Sequence, residues 1–275
     1  MKPVKRRILL VLTVCLAFCL LTGGIPTKRF GMGRPFNMAP FGMVDECDAN
    51  WKPTDISGCI LDLDSRKGIT PSLTDATLCS VLTSQAPGGR YLATAGPSTC
   101  PVITPNVLNG QQGLVFGADD YLFRSAAGFA DVSQPLTIFL IASLPPQDGL
   151  RYLYYAGSAW YLCTSLSTTY KYRFAVGTAG GSGSTALAAG TFVKIRMVAS
   201  TGANGDSLFV NGVKVSSGDY GSSDLTGMWL ASNNNPAANY AANTFCRLIL
   251  YNKAIATGSA DLAKLNAYFL KTYGL

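Results

Sequence analysis

The chain has 275 residues, 48% of them hydrophobic and only 13% charged, which is enough apolar material for a real core in one or two domains. Its net charge of +7 is confined to residues 1–40, which hold Lys2, Lys5, Arg6, Arg7, Lys28, Arg29 and Arg34 and no acid; the remainder carries equal numbers of each sign. A neutral body excludes an electrostatic nucleic-acid binder. The absence of histidine excludes a Ser-His-Asp triad, a Cys-His dyad and a His-ligated metal.

Residues 1–24 begin with basic residues and continue through the uncharged run Ile8 to Leu21, apolar apart from Thr13. At the helical rise this run covers about 21 Å, short of the roughly 30 Å hydrocarbon core. It reads as a cleavable export signal or, if retained, as an anchor that meets a membrane through residues 8–21. Residues 25–50 are punctuated by Gly and Pro, which forbid a long regular element. Even so, this stretch carries three Phe-x-Met pairs: Phe30 with Met32, Phe36 with Met38, and Phe41 with Met43. Three exposed pairs are a liability in water. Laid extended over a neighbouring subunit of an assembly, they would fill successive pockets, adaptable Met beside rigid Phe.

Residues 51–275 form the body. "GCILDLD" (58–64) alternates like a half-buried strand, with Cys59, Leu61 and Leu63 on one face and Asp62 and Asp64 on the other. "GLVFGADDYLF" reads as strand, turn and strand. "PLTIFLIASL" is apolar on both faces and predicts a central, covered strand. "YRFAVGT" and "TFVKIRMVAS" predict strands joined by the loop "AGGSGSTALAAG". In "SLFVNGVKVSS", Asn211-Gly212 predicts a type I′ hairpin turn. "GMWLAS" and "TFCRLILYN" complete the set. The last residues predict one amphipathic helix. Thr257 or Ser259 caps it, Leu262, Leu265, Phe269 and Tyr273 form its apolar stripe, Lys264 and Lys271 face water, and Gly274 ends it. Short strands with Gly-rich turns and one helix indicate an all-β sandwich or jelly roll.

Three segments carry a resemblance. "WKPTDISGCILDLDS", "LNGQQGLVFGADDYL" and "FCRLILYNKAIATGSADLAKLNAYFLKTYGL" are similar, in this order, to the opening strand, a middle segment and the closing strand and helix of laminin-G-like, concanavalin A-like jelly-roll domains of phage virion and bacterial surface proteins. The resemblance covers about residues 51–275. It departs from the pattern at Cys59 and Cys246, where aliphatic residues are usual, and in an Asp where the closing helix often has Glu. The fold it implies is a concanavalin A-like jelly-roll β-sandwich with first and last strands side by side. A Cys59–Cys246 bridge is expected on that placement, and a Cys79–Cys100 bridge would close a loop in the 70–105 insertion. The alternative reading of these scattered cysteines is buried free thiols.

The functional readings are a non-enzymatic attachment protein of a virion surface or cell envelope, fastened by its arm, and a secreted lectin-like module. A glycoside hydrolase is a distant third, because paired glutamates are unavailable: Glu46 is the chain's one glutamate. Asp62 and Asp64 are read as strand-end hydrogen-bonders rather than catalysts. No cofactor is expected; calcium is the alternative, with Asp119, Asp120 and Asp206 as loop ligands. Glycan binding is read from "SNNNPAANY", whose Asn233, Asn234, Asn235 and Asn239 would hydrogen-bond sugar hydroxyls while the Tyr240 ring stacks. The aromatics of "RYLYYAGSAWY" (Tyr152, Tyr154, Tyr155, Trp160 and Tyr161) are read as core filling.

Overall fold

A computed structural model describes residues 50–145, 150–157, 160–165, 170–176, 180–185, 188–201, 205–232 and 240–275. The signal-like segment, the Phe-x-Met arm and Asn233, Asn234, Asn235 and Asn239 lie outside the described residues. In chain order the strands are β1 (Cys59–Asp64), β2 (Ile69–Pro71), β3 (Cys79–Thr83), β4 (Tyr91–Ala93), β5 (Val102–Leu108), β6 (Gln111–Val115), β7 (Leu122–Arg124), β8 (Leu136–Ser143), β9 (Arg151–Gly157), β10 (Trp160–Ser165), β11 (Tyr170–Val176), β12 (Gly180–Thr185), β13 (Phe192–Ala199), β14 (Asp206–Val210), β15 (Val213–Gly218), β16 (Thr226–Leu230) and β17 (Thr244–Tyr251). The helix α1 spans Ala260–Tyr273.

The strands form two antiparallel sheets. The first has the order β15-β14-β13-β8-β17-β6-β5, and β1 shares with β6 the far edge of β17. The second has the order β12-β11-β10-β9-β16-β7-β4-β3-β2. Alternation along each strand sends one set of side chains between the sheets: Leu61, Leu63, Leu140, Ile195, Met197 and Leu248 from the first meet Leu122, Tyr154, Trp160, Leu162, Met228 and Leu230 from the second. This is the all-β sandwich with a C-terminal helix that the sequence predicts. β8 is buried at every position because the second sheet covers one face and α1 the other. The two strands of "GLVFGADDYLF" lie in different sheets, and the glycine-rich stretch expected to be a loop contains β12.

Helix α1 forms for the predicted reasons. The Ser259 hydroxyl accepts from Leu262 N, and Gly274 ends the helix in the left-handed conformation at φ 74°. Leu262, Leu265, Phe269 and Tyr273 are buried against Phe139, Ile141, Cys246, Ile249 and Tyr251 on the outer face of the first sheet. Each such side chain contributes roughly 1.5–3 kcal/mol by leaving water.

Two bulges reset the faces of the paired strands β1 and β17. A register shift between Cys59 and Leu61 turns Cys59 toward the helix side while Ile60, Leu61 and Leu63 face the core. A second shift between Phe245 and Arg247 places Cys246 and Arg247 together on the helix side. The expected Cys59–Cys246 bridge is therefore corrected. Cys59 pairs with Tyr251, whereas Cys246 O accepts from Ser65 N at the other end of the ladder. At about 3.4 Å per residue, the run from Cys246 to the Cys59 partner Tyr251 covers about 17 Å, beyond disulfide reach. Cys79 and Cys100 are brought close, since Cys79 N donates to Pro101 O at 2.9 Å, but both stay free. Their thiols donate instead to Val81 O and Gly96 O, each at 3.5 Å. All five described cysteines are free thiols.

Candidate functional site

The outer face of the second sheet carries a continuous row of aromatic rings. It starts at Tyr161 on β10 and crosses to Tyr152 (centroids 5.8 Å apart) and Tyr155 (5.7 Å) on β9. From there it passes to Trp229 on β16 (5.8 Å) and Phe123 on β7 (6.3 Å, stacked at 18°). It ends on Tyr121 (5.7 Å) and Tyr240 (6.0 Å). Tyr121 is buried; the other six rings are half-buried, so each keeps an edge or face in water. Pairs at these spacings and tilts are mutually attractive, which holds the rings in place without burying them.

The local cause is again a bulge. Between β9 and β10 the register shifts at Leu162/Cys163, and Leu153 and Tyr154 both turn into the core. Tyr152 and Tyr155, three residues apart, are thereby both released to the outer face. The core-filling reading of this segment holds for Tyr154 and Trp160, which are 1% and 0% exposed, and fails for Tyr152, Tyr155 and Tyr161. Trp160 also satisfies its indole N–H, which donates to Ser223 O at 2.8 Å.

The two ends of the row differ in charge. Beyond Tyr161 lie the exposed Arg173, paired in register with Cys163, and the small residues Gly180 and Ser182 of β12. At the other end, burial and then the charges of Tyr121 and Asp119 raise the Tyr240 phenol above its ordinary range. Arg151 Nη1 donates to Tyr240 O at 3.2 Å and fixes that residue beside the row. Tyr240, the one described residue of the five expected to bind glycan, thus joins an aromatic surface that the sequence reading placed elsewhere. Burial also raises Tyr152 and Tyr155, so these phenols stay neutral hydrogen-bonding groups.

The other candidates take structural roles. Asp206 is 1% exposed; its Oδ1 accepts from Ser200 N at 2.9 Å and its Oδ2 from Tyr220 N at 2.7 Å, clasping two loops together. Asp120 Oδ2 accepts from Gly117 N at 2.6 Å to close the turn before β7. Asp119 is exposed. The three do not converge: among the described residues no group of three or more acidic, Cys or His side chains is arranged to hold a metal.

Asp62 and Asp64 line a groove of about 360 Å³ next to Trp51, Lys67 and Gln85. Arg247 Nε and Nη2 clamp Asp62 at 2.8 and 2.6 Å, and its Nη1 lies 3.1 Å from Asp64. Arg66 donates to both oxygens of Asp64, at 2.8 and 2.6 Å, and to Gln111 and Tyr268. Arg247 also bonds the Tyr268 hydroxyl and lies 4.9 Å over its ring. Burial raises the Asp62 carboxyl, with Arg247 opposing it. Burial would raise Asp64 too, but hydrogen bonds from Arg66 and the charge of Arg247 outweigh it, and Asp64 is held below the carboxylate range. All four carboxylate oxygens are thus taken by guanidinium donors. The network ties β1 and β17 to α1; it offers neither a free general acid nor a free nucleophile.

The architecture defines a two-sheet antiparallel β-sandwich with one C-terminal helix. Solved structures of the same fold include the receptor-binding domain of botulinum neurotoxin D, at 9% identity over 78% of this chain and 54% of that chain, with a TM-score of 0.52. The serotype D ligand-binding domain in complex with N-acetylneuraminic acid is similar at 8% identity over 76% of this chain and 51% of that one, TM-score 0.53. Trypanosoma rangeli sialidase in complex with sialic acid is similar at 14% identity over 78% of this chain and 33% of that one, TM-score 0.51. The chain spans about half the length of the neurotoxin domains and a third of the sialidase. No protein-family model and no curated protein matches the sequence.

Proposed function

We propose that this chain is a non-catalytic attachment protein. Its jelly-roll domain, of the laminin-G-like, concanavalin A-like type, binds glycan along the aromatic row. Its Phe-x-Met arm, residues 25–50, fastens it to neighbouring subunits of a virion surface or cell envelope. The observation that carries the reading is the row itself. Seven neighbouring rings, five of them on four adjacent strands and six of them half-exposed, form a surface for the apolar faces of sugar rings. The neurotoxin and sialidase structures that bind sialic acid share the fold and support a carbohydrate ligand. The occupied carboxylates of Asp62 and Asp64 support the absence of catalysis.

A glycan array with the full-length chain tests the binding; no saturable signal on any glycan refutes it. Deleting residues 25–45 tests the arm, since the domain folds but loses its place in the assembly, and unchanged incorporation refutes the arm. A secreted lectin is the second reading, favoured by the signal-like Ile8 to Leu21 run. Mass spectrometry of the mature N-terminus separates the two: cleavage near Gly24 selects the secreted module.

A further inference from the structure

On the opposite sheet, a second cavity carries charge without a counter-charge. Strand β13 sends Val193, Ile195 and Met197 into the core and Lys194 and Arg196 outward. These two cations open onto a cavity of about 240 Å³, walled by Phe139 and Phe209 from the sheet, Leu262 and Asn266 from α1, and Thr257. Arg196 is 6% exposed. Its Nη1 donates to Ile255 O at 3.2 Å and its Nη2 to Thr257 Oγ1 at 2.9 Å, while its guanidinium lies 3.7 Å over the Phe209 ring. Lys194 Nζ sits 5.8 Å from the Phe269 centroid, and Lys214 Nζ 5.9 Å from the Phe209 centroid.

None of these cations forms an ion pair with a carboxylate among the described residues. Asp261, the one acid of α1, is taken by Lys253 Nζ at 2.7 Å. Burial lowers both Lys194 and Arg196, and no acid offsets it. Arg196 is buried and Lys194 half-buried, so two cations face one cavity with no carboxylate to offset their desolvation, and an entering anion relieves it. The remaining walls suit a ring: phenyl and leucyl faces for its apolar side, the Thr257 hydroxyl and Asn266 amide for its hydroxyls.

We propose that this cavity is an anion-binding site for a ring-sized organic oxoanion, an acidic monosaccharide unit, with Lys194 and Arg196 gripping the carboxylate. It lies on the other sheet from the aromatic row and stands whether or not the row binds glycan. Charge-assisted hydrogen bonds supply the affinity, and the volume admits a single ring.

The test titrates the full-length protein with glucuronate and with glucose, which differ chiefly by the carboxylate, and with inorganic phosphate and sulfate. Amide resonances of Gly212, Gly258 and Asn266 are followed by NMR in low salt. Glucuronate is expected to shift them saturably and glucose not. Lys194→Met should weaken glucuronate by at least about tenfold, and Lys194→Arg should retain it. Binding of phosphate or sulfate with equal strength supports the oxoanion site and removes the sugar ring from its ligand. No shift with any anion up to about 20 mM overturns the proposal, as does a folded Lys194→Met variant with unchanged affinity. Failure of Trp229→Ala to affect glucuronate is expected, because that residue reports on the row alone.

Discussion

Replacing Arg247 by Met isolates the energy of the buried network. Arg247 is 4% exposed and holds both oxygens of Asp62, itself 1% exposed. Removing it strands the Asp62 carboxylate in the interior, a perturbation of about 3–5 kcal/mol. Asp64 is spared because Arg66 still donates to both its oxygens. The converse change, Asp62→Asn, leaves Arg247 within 3.1 Å of Asp64 and is expected to cost less, about 1–3 kcal/mol. The double variant Arg247→Met with Asp62→Leu removes both charges and should recover most of the loss, since an apolar replacement of a buried pair is commonly neutral. Urea unfolding followed by tryptophan fluorescence measures all three. With a slope of about 2 kcal/mol/M, a 4 kcal/mol loss moves the midpoint by about 2 M. If Arg247→Met shifts the midpoint by less than about 0.5 M, or if the double variant is less stable than Arg247→Met, the account of the network is wrong.

Acid should find the same network. Asp64, with its lowered pKa, contributes stability that is present above the ordinary carboxylate value and lost as pH falls through the lowered one; Asp62, raised by burial, contributes with the opposite sign. The wild-type urea midpoint should therefore fall, as pH drops below about 4, by more than that of Asp64→Asn, and parallel curves would exclude the assignment. Trp229→Ala removes the central ring of the row, which touches Phe123 and Tyr155; glycan affinity measured by fluorescence or calorimetry should fall about thirtyfold, with Trp229→Phe retaining most of it. Burial pushes the thiols of Cys59, Cys79, Cys163 and Cys246 up to about 12. In the native protein at pH 8 iodoacetamide should leave the peptides containing them unmodified while labelling them in urea, and prompt native labelling would contradict the burial described.

Local chemistry was legible in the sequence. Asn211 and Gly212 take φ 49° and 84° between paired Val210 and Val213, as the Asn-Gly signal predicts, and Ser259 and Gly274 cap α1 as read. β8 was legible because an apolar run with no polar face has to be covered twice. What escaped were the faces. A bulge inserts one residue and inverts alternation from that point, and nothing in "CILDLD", "TFCRLIL" or "RYLYY" announces it. Hence the sequence pattern puts Cys59 on the face of Leu61 and Tyr152 and Tyr155 in the core, and the folded chain does neither. The row was illegible for a second reason. β16 inserts between β7 and β9, so Phe123, Trp229 and Tyr155 become neighbours only through sheet order. The pairing of Asp62 with Arg247, 185 residues apart, is likewise a product of topology. The uncompensated Lys194 and Arg196 did leave a trace, two cations alternating with apolar residues in "FVKIRMVA", but the same pattern marks any solvated strand face.

The placement of β1 has a mechanical consequence. Trp51 packs against Tyr268 of α1, and the chain then enters β1, laddered to β17 along the edge of the first sheet. Pulling β1 away from the sheet therefore means breaking its ladder to β17, whose hydrogen bonds run across the two strands. The Asp62–Arg247 clamp lies across the same joint. Releasing the first strand therefore costs the ladder and the buried ion pair together, so β1 is held by more than an edge position alone would give.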